Sequence, residues 1–517
     1  MHRKLILFLA ASAVLPAAVP DIVKVDTGQL RGAAMDGVVA FKGVPFAAPP
    51  VGALRWKAPQ PAAKWKGMRG ALDFGPRCMQ GNIYSDMIFR DKGPSEDCLY
   101  LNVWTAAASA KSRLPVMVWI YGGGFAAGAT SEPRQDGKNL AQKGVVVVSM
   151  NYRLGIFGFF SHAELARESG HNSAGNYGLL DQLAALQWVH RNIERFGGDP
   201  AKVTIFGESA GSFSVSAQMA SPLAQGLFQR AIGESGAFFG SVLSVKTLAQ
   251  SEEADEKFAE SIGAHTLADL RAKSATDLLA AATDKTNPIR FAPNIDGCFL
   301  PQSPREIFAA GRQSHVPLLA GWNHDEGGYG DIFGKDEPAA ANFAAFAHKR
   351  FGDRADDFLK LYPGATDEEA KRSAQDLAGD QFIAFSTWKW LEMQAATGGS
   401  ALYRYEFDDA PPSPANSTEP TRGAYHSAEI EFVFAVLANK DLPWRPEDKA
   451  LSEKALSEQM STYWSNFAKN ADPNGEGLPP WPVYTSQGSY PVMHLNSPSH
   501  AAPDDHRARY EFLDKLK

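Results

Sequence analysis

The stretch that decides the fold reads Val203-Thr204-Ile205-Phe206-Gly207-Glu208-Ser209-Ala210-Gly211-Ser212. Its first four residues are β-branched or aromatic, which is typical of a strand, and a helix-compatible run from Phe213 to Ala220 follows. Gly-x-Ser-x-Gly between a strand and a helix predicts a sharp turn that projects the hydroxyl of Ser209, because the flanking glycines remove colliding side chains. The first N–H groups of the helix would then face negative charge that develops at this serine. The stretch therefore predicts a nucleophile.

A second glycine-rich turn lies upstream. The run Leu114–Ile120 is predicted to be a strand, and Tyr121-Gly122-Gly123-Gly124-Phe125 follows it. Three consecutive glycines allow backbone N–H groups to converge on one oxyanion without interference from Cβ atoms. A turn of this kind, after a strand and upstream of the serine, is typical of the oxyanion loop of α/β-hydrolases.

The surrounding pattern predicts a mostly parallel sheet. The run 145–150 is apolar apart from Ser149, as expected for a strand buried on both faces, and the region 178–189 has helical spacing before the strand that leads to Ser209. Strand, helix and strand in this order indicate a βαβ crossover. Short β-like runs between residues 23 and 56 predict an antiparallel meander at the N-terminal side.

We expect residues 19–517 to form one domain, because large α/β enzymes often keep one sheet and lengthen its loops. Inserted segments are predicted at about residues 57–95, 237–300 and 408–425. The first is rich in proline, glycine and polar residues, and the second has helical patterns typical of a lid.

Composition excludes some classes of partner. Of the 517 residues, 44% are hydrophobic and 21% charged, and the formal net charge is -7 with no basic tract. These values are ordinary for a globular protein and argue against a nucleic-acid partner.

The N-terminus has the order of a secretory signal peptide, which we place at residues 1–18. Arg3 and Lys4 precede an apolar run that ends at Leu15. That run is shorter than the roughly 20 residues of a membrane span, so no stable membrane anchor is expected. Cleavage after Ala13 or after Ala18 fits the pattern, and either predicts a secreted or periplasmic protein.

Export makes one disulfide plausible among the three cysteines. Cys78 and Cys98 are close in sequence and flank a polar, turn-rich segment, so we pair them; closing that loop is worth about 3 kcal/mol in the loop-entropy model. Cys298 remains, and its apolar neighbours predict a buried, inert thiol.

A serine nucleophile also needs a base and an orienting carboxylate, in the chain order serine, acid, histidine for an α/β-hydrolase. A predicted strand near residue 320 runs into Asn323-His324-Asp325-Glu326-Gly327, which places carboxylates where α/β sheets carry their sites. Among the 12 histidines, His426 follows this segment and lies in a loop after the predicted strand Leu402–Phe407. Because position in the chain is the only argument for His426 as the base, an ordinary surface histidine is an equally good interpretation of this residue.

Several long motifs resemble the type-B carboxylesterase and cholinesterase family, which includes bacterial para-nitrobenzyl-esterase-like enzymes. These are 206–212, 96–104, the acid segment 323–327, and His426 before 429–434. The resemblance implies an α/β-hydrolase fold and the disulfide already inferred from spacing. We expect no cofactor and no metal. The resemblance assigns the triad Ser209, Glu326 and His426, oxyanion donors at Gly123, Gly124 and Ala210, and supporting positions at Glu208, Ser235 and Glu429.

The leading hypothesis is a secreted or periplasmic serine carboxylesterase that cleaves small-molecule esters through an acyl-enzyme intermediate. A non-catalytic adhesion protein is one alternative, because some relatives of this fold have lost the nucleophile. A hydrolase of amides, lactones or carbamates is another. The aromatic segment 236–240 is interpreted equally well as substrate contact or as core packing.

Overall fold

The structure is a computed structural model that describes residues 20–240, 244–410, 423–439, 442 and 451–516. The predicted signal peptide at residues 1–18 lies outside the described residues. So does most of the insertion predicted at 408–425.

The strands come mainly from the two ends and the first half of the chain. They are β1 (Ile22–Val25), β2 (Gly28–Arg31), β3 (Ala33–Met35), β4 (Val38–Pro45), β5 (Met68–Gly70), β6 (Arg77–Cys78), β7 (Pro94–Ser95), β8 (Tyr100–Thr105), β9 (Leu114–Ile120), β10 (Val146–Met150), β11 (Gly198–Glu208), β12 (Arg230–Glu234), β13 (Lys246–Thr247), β14 (Asn294–Ile295), β15 (Leu318–Asn323), β16 (Leu402–Phe407), β17 (Pro491–Leu495) and β18 (His500–Pro503).

The helices surround the sheet and supply the insertions. They are α1 (Lys138–Ala141), α2 (Gly155–Phe159), α3 (Ala163–Glu168), α4 (Tyr177–Asn192), α5 (Ala210–Ala220), α6 (Leu248–Ser261), α7 (Leu267–Ala272), α8 (Ala275–Ala282), α9 (Pro304–Ala309), α10 (Gly330–Phe333), α11 (Ala340–Phe351), α12 (Ala355–Leu361), α13 (Asp367–Gly379), α14 (Phe385–Thr397), α15 (Ile430–Val433), α16 (Leu451–Asn470) and α17 (Arg507–Asp514).

An 11-stranded sheet organises the fold, in the order β18-β17-β16-β15-β12-β11-β9-β10-β8-β4-β3. Its centre, from β10 through β9, β11, β12, β15 and β16 to β17, is parallel, and both margins are antiparallel. All residues of β10 are buried, as expected for a strand covered on both faces. The parallel strands bring their carboxyl ends to one edge of the sheet, where loops can form a site.

The crossover from β10 through α4 to β11 passes over one strand, because β9 lies between β10 and β11 in the sheet. Sequence order predicts the crossover but cannot predict which strand is inserted. The predicted N-terminal meander is likewise divided. β1 and β2 form a separate three-stranded sheet with β5, whereas β3 and β4 extend the main sheet.

The first predicted insertion, 57–95, is more ordered than a plain loop. Its strand β5 pairs in parallel with β2, and the N–H of Ala71 donates to the carbonyl of Arg31 at 2.7 Å. β5 is only three residues long and lacks buried side chains, so it has no apolar alternation that a sequence pattern could detect.

The lid helices predicted within 237–300 are present as α6, α7 and α8. Thr247 and Thr266 begin α6 and α7 with capping boxes, in which each threonine accepts an N–H from the third helical residue and Gln250 or Asp269 returns the bond. No helix among the described residues is long and apolar enough to cross a membrane.

Cys78 and Cys98 form the predicted disulfide, with Cα atoms 4.9 Å apart. The prediction for Cys298 was wrong in one respect, because this free thiol is only half-buried. Partial burial and the nearby carboxylate of Asp296 raise its pKa, which favours the unreactive protonated form. Its apolar sequence neighbours Phe299 and Leu300 are buried, but their burial does not extend to the sulfur.

Candidate active site

Ser209 lies at the turn between β11 and α5. Its backbone has φ 54° and ψ -124°, a conformation that is costly for a residue with a side chain. Its N–H donates to the carbonyl of Glu234 on β12 at 2.8 Å, which helps to hold the turn. A Cβ on Gly211 would lie 1.9 Å from the carbonyl oxygen of Ile120, so α5 can approach β9 this closely only with glycine there.

Three residues from separate segments meet beside this turn. The Nε2 atom of His426 is 2.9 Å from the Oγ of Ser209, and its Nδ1 is 2.5 Å from Oε2 of Glu326. The structure thus brings the predicted serine, histidine and glutamate together in one hydrogen-bonded chain, and His426 is not an isolated surface residue. A hydrogen bond to each ring nitrogen fixes the orientation of the imidazole.

The carboxylate of Glu326 is itself held by two donors. The hydroxyl of Ser235 and the N–H of Asn323, at 2.9 Å, both donate to its Oε1. Its Oε2 is left for His426. Ser235 was predicted as a supporting residue, whereas Asn323 was missed, although it begins the acid segment and could have been proposed from its position.

The glycine-rich loop adopts backbone conformations that favour glycine. Gly123 has φ 99° and Gly124 has φ 65°, and a Cβ on Gly123 would lie 2.2 Å from the carbonyl oxygen of Ala127. Gly123, Gly124 and Ala210 line the same cavity as Ser209. In the described part of the chain, their N–H groups have no acceptor. They match the predicted donors to an oxyanion.

Two further predicted residues, Glu208 and Glu429, place carboxyl groups around the histidine. Oε1 of Glu208 lies 3.3 Å from Nε2 of His426, and Oε2 of Glu429 accepts from the side chain of Asn323 at 2.5 Å. Burial raises the pKa of both carboxyl groups, and repulsion from neighbouring glutamates adds to the effect. Both groups therefore retain a proton more readily than ordinary glutamates do.

The pKa of His426 is set by opposing effects. Burial of the imidazole lowers that pKa, but the carboxylates of Glu326 and Glu208 outweigh burial and raise it above the ordinary value of 6.5. The ring edge of Phe382, with centroids 5.2 Å apart, covers one side of the imidazole. The histidine still has 27% of its side chain exposed, toward the cavity that it lines.

The site opens into a cavity of about 2040 Å³, enough for a large organic ester. The lid insertion and the disulfide loop contribute much of its apolar wall, including Ile83, Met87, Leu279 and Ile289. Residues 236–240 do not line it. Phe238 is buried against Phe213 and Phe125, so this segment is core packing where the sequence left both interpretations open.

One group in the described ranges could hold a metal ion, namely His324, Glu406 and Asp408. Nδ1 of His324 is 2.6 Å from Oε1 of Glu406 and 3.9 Å from Oδ1 of Asp408. The hydrogen bond to Glu406 raises the pKa of His324 to about 9, so a proton already supplies the positive charge between these carboxylates. The expectation of no metal remains a prediction.

The mixed sheet, the serine at its sharp turn and the histidine and glutamate beside it define a serine hydrolase with the α/β-hydrolase fold. The sequence model of the carboxylesterase family matches residues 19–513. The chain belongs to this family and is an enzyme of the type-B carboxylesterase class.

Individual relatives agree with this placement. The chain is 37% identical over 500 residues to fumonisin B1 esterase of Sphingopyxis macrogoltabida, an alignment that covers 93% of this chain and 88% of the relative. It is 37% identical over 516 residues to a medium-chain fatty acyl-CoA hydrolase precursor of Anas platyrhynchos, covering 91% and 88%. A solved PNB esterase structure superposes with a TM-score of 0.80 at 34% identity, covering 95% of this chain and 99% of that one. The predicted family and fold are thereby confirmed.

Proposed function

We propose that this enzyme is a secreted or periplasmic serine carboxylesterase that hydrolyses small-molecule esters through an acyl-enzyme intermediate. The observation that carries the mechanism is the continuous contact from Glu326 through His426 to Ser209. Oxyanion donors at the adjoining glycine loop complete the requirements for acyl transfer.

In the first half of the reaction, Oγ of Ser209 forms a bond to the ester carbonyl carbon, and its proton passes to Nε2 of His426. The carbonyl oxygen becomes an oxyanion held by the N–H groups of Gly123, Gly124 and Ala210. The bond from carbon to the alkoxy oxygen then breaks. The departing oxygen takes the proton from His426 and leaves as the alcohol.

In the second half, a water molecule gives a proton to Nε2 of His426 and its oxygen attacks the acyl carbon. The bond to Ser209 breaks, Oγ recovers the proton, and the carboxylic acid leaves. Glu326 stabilises the imidazolium that forms in each half. Ser235 and Asn323 hold this carboxylate, so no rearrangement is needed during the reaction.

A slowly released acyl group tests the intermediate. With p-nitrophenyl dimethylcarbamate, whose carbamoyl-enzyme hydrolyses slowly, we expect a burst of p-nitrophenol equal to the enzyme concentration. The quenched protein should gain the mass of a single carbamoyl group, on the peptide that contains Ser209. Release of p-nitrophenol without a burst, or an adduct on another peptide, would contradict the mechanism.

Two other functions deserve comparison. A non-catalytic adhesion role is disfavoured because the triad residues are present and in contact. A preference for amides, lactones or carbamates involves the same tetrahedral intermediate, so geometry does not separate it from ester hydrolysis. Matched ester, amide and lactone substrates of equal acyl length decide between them, and we expect the highest kcat/KM for the ester.

The pH dependence of kcat/KM should report His426. The general base must be neutral in the free enzyme, and its raised pKa keeps the imidazole protonated above pH 6.5. Activity should therefore rise with pH, with a midpoint above 6.5. The test is a profile of kcat/KM for a neutral ester from about pH 5 to 10, with tryptophan fluorescence showing that the protein stays folded. A midpoint at or below 6.5 would contradict the raised pKa of His426, and a flat profile would contradict its role as general base.

We also propose that residues 1–18 are removed on export and that 19–517 form a single domain. The disulfide between Cys78 and Cys98 supports an oxidising compartment. One cluster of buried apolar residues that extends from Val23 to Leu513 supports the single domain. N-terminal sequencing of the exported protein tests the first part, and a start far inside the first strand would contradict it.

A further inference from the structure

An unpaired cation lines the active-site cavity. Arg290 belongs to the stretch between α8 and β14, within the lid insertion, and it lines the same cavity as Ser209 and Gly124. In the described part of the chain, no carboxylate lies within ion-pair distance of its guanidinium, and no acceptor is hydrogen-bonded to it. A guanidinium carries a planar set of donors that matches a carboxylate, so an unpaired one offers a binding site for an anion.

Two other arginines around the cavity differ from Arg290. Arg134 is paired with Glu132 at 2.9 Å and with Asp86 at 3.4 Å. Arg372 is paired with Asp325 at 3.2 Å and with Asp376 at 2.8 Å. Pairing neutralises these side chains, whereas no described residue compensates the charge of Arg290.

Arg290 and Lys285 both line the cavity with exposed side chains, and among the described residues neither has an ion-pair partner. Although the Arg290 side chain is exposed, partial desolvation lowers the pKa of its guanidinium, opposed by the phenol of Tyr84, and no acidic residue contributes. The two cations differ in chemistry, because the ammonium of Lys285 is a strongly hydrated point charge, whereas a guanidinium is more weakly hydrated and planar. An anion would therefore gain more from Arg290 than from Lys285.

Tyr84 connects Arg290 to the reacting centre. The Tyr84 hydroxyl lies 3.0 Å from the place that a Cβ on Gly124 would occupy, so it adjoins the oxyanion loop. Burial raises the pKa of this phenol; the charge of Arg290 opposes that rise, and Glu208, next to the nucleophile, adds to it. Tyr84, which adjoins the oxyanion loop, and Arg290 thus line the same cavity as Ser209.

We propose that Arg290 forms a carboxylate-binding subsite, so that the preferred substrates are esters that carry a second, ionised carboxylate group. This inference rests on the proposed esterase function. The apolar side chains of Leu279 and Ile289 line the cavity beside it and suit the methylene chain between the two groups. Arg290 contacts the substrate away from the reacting carbonyl and so determines specificity; it takes no part in bond cleavage.

Two pairs of substrates test the proposal. Monoethyl adipate and its neutral analogue ethyl adipamate place a carboxylate or an amide on the acyl side, and 5-acetoxypentanoate and its amide place them on the alcohol side. We expect the wild-type enzyme to favour the carboxylate member of at least one pair by roughly 10- to 100-fold in kcat/KM. Added salt should reduce this ratio, because the subsite is open to solvent.

Substitutions at Arg290 and Lys285 test which side chain causes the preference for esters with a carboxylate. Arg290→Gln should abolish the preference, because it lowers kcat/KM for the esters with an ionised carboxylate much more than for their neutral, amide-bearing analogues. Arg290→Lys should keep part of the preference, because lysine retains the positive charge but lacks the planar set of guanidinium donors. Lys285→Gln is the matched control, and the preference should persist in it. Melting temperatures should match the wild type because both side chains are exposed.

The outcomes are distinguishable. If the wild type cleaves charged and neutral esters equally well, or if Arg290→Gln keeps the preference, the carboxylate subsite is wrong and the esterase function stands. If none of these esters is cleaved by folded enzyme, the proposed function fails, and this inference fails with it.

Discussion

Ser209→Ala is expected to lower turnover of an activated ester by roughly 10⁴- to 10⁶-fold, because no other group can form the covalent intermediate. The fold should remain, since the Oγ is small and its hydrogen bond in the structure is to His426. Alanine also replaces serine at φ 54° without a change in backbone cost. The measurement is kcat with p-nitrophenyl acetate, together with labelling by a fluorophosphonate probe.

Ser85→Ala is the matched control for this variant. Ser85 lines the same cavity but is exposed and belongs to the disulfide loop, so its loss should leave both turnover and labelling intact. The label should appear on wild-type enzyme and on Ser85→Ala and be absent from Ser209→Ala. Near-normal turnover by a folded Ser209→Ala protein, or recovery of the label on another serine, would rule out this nucleophile.

Glu326→Gln is expected to lower kcat by about 10³- to 10⁴-fold while leaving the shape of the site intact. A glutamine amide can donate to Nδ1 of His426, which leaves the proton on Nε2, where the imidazole must instead accept one from Ser209. The loss of charge also removes the main support for the imidazolium. The effect is measured as kcat with p-nitrophenyl acetate at the optimum pH of the wild type.

Glu326→Asp separates charge from shape. It keeps a carboxylate with a side chain one methylene shorter, so it should lose less activity than Glu326→Gln even though it disturbs the geometry more. Equal melting temperatures for the two variants would exclude unfolding as the cause. If the glutamine variant retains more activity than the aspartate variant, the carboxylate is not the group that orients the base.

Sequence patterns predicted the central elements well because their cause is local. The predicted strands Leu114–Ile120 and Leu402–Phe407 are β9 and β16 with the same bounds. β16 is buried along its whole length and β9 from Val116 to Ile120, and most residues of both strands are apolar, aromatic or β-branched, so the pattern is visible in the sequence. The short strand Met68–Gly70 was not predicted, because backbone hydrogen bonds, rather than buried side chains, hold it in a sheet.

In the candidate site, too, some features follow from the local sequence and others only from contacts between distant segments. The two glycine-rich turns are visible in sequence because only glycine avoids the collisions of Gly211 with Ile120 and of Gly123 with Ala127. The carboxylate and the histidine could be proposed only from chain order and resemblance, since Glu326 and His426 are 100 residues apart and meet through the order of strands in the sheet. Nothing in the local pattern separates His426 from a surface histidine.

The sequence by itself determined the serine turn, the glycine loop and the alternation of strands and helices, because steric exclusion at glycine and the periodicity of burial act within a few residues. The tertiary structure alone decided that β9 lies between β10 and β11 and that carboxyl groups surround His426 and raise its pKa. It also decided that Arg290 lines the cavity without a counter-ion among the residues that the structure describes. Desolvation and charge interactions depend on distances between groups far apart in the chain. Such distances exist only once the sheet has assembled.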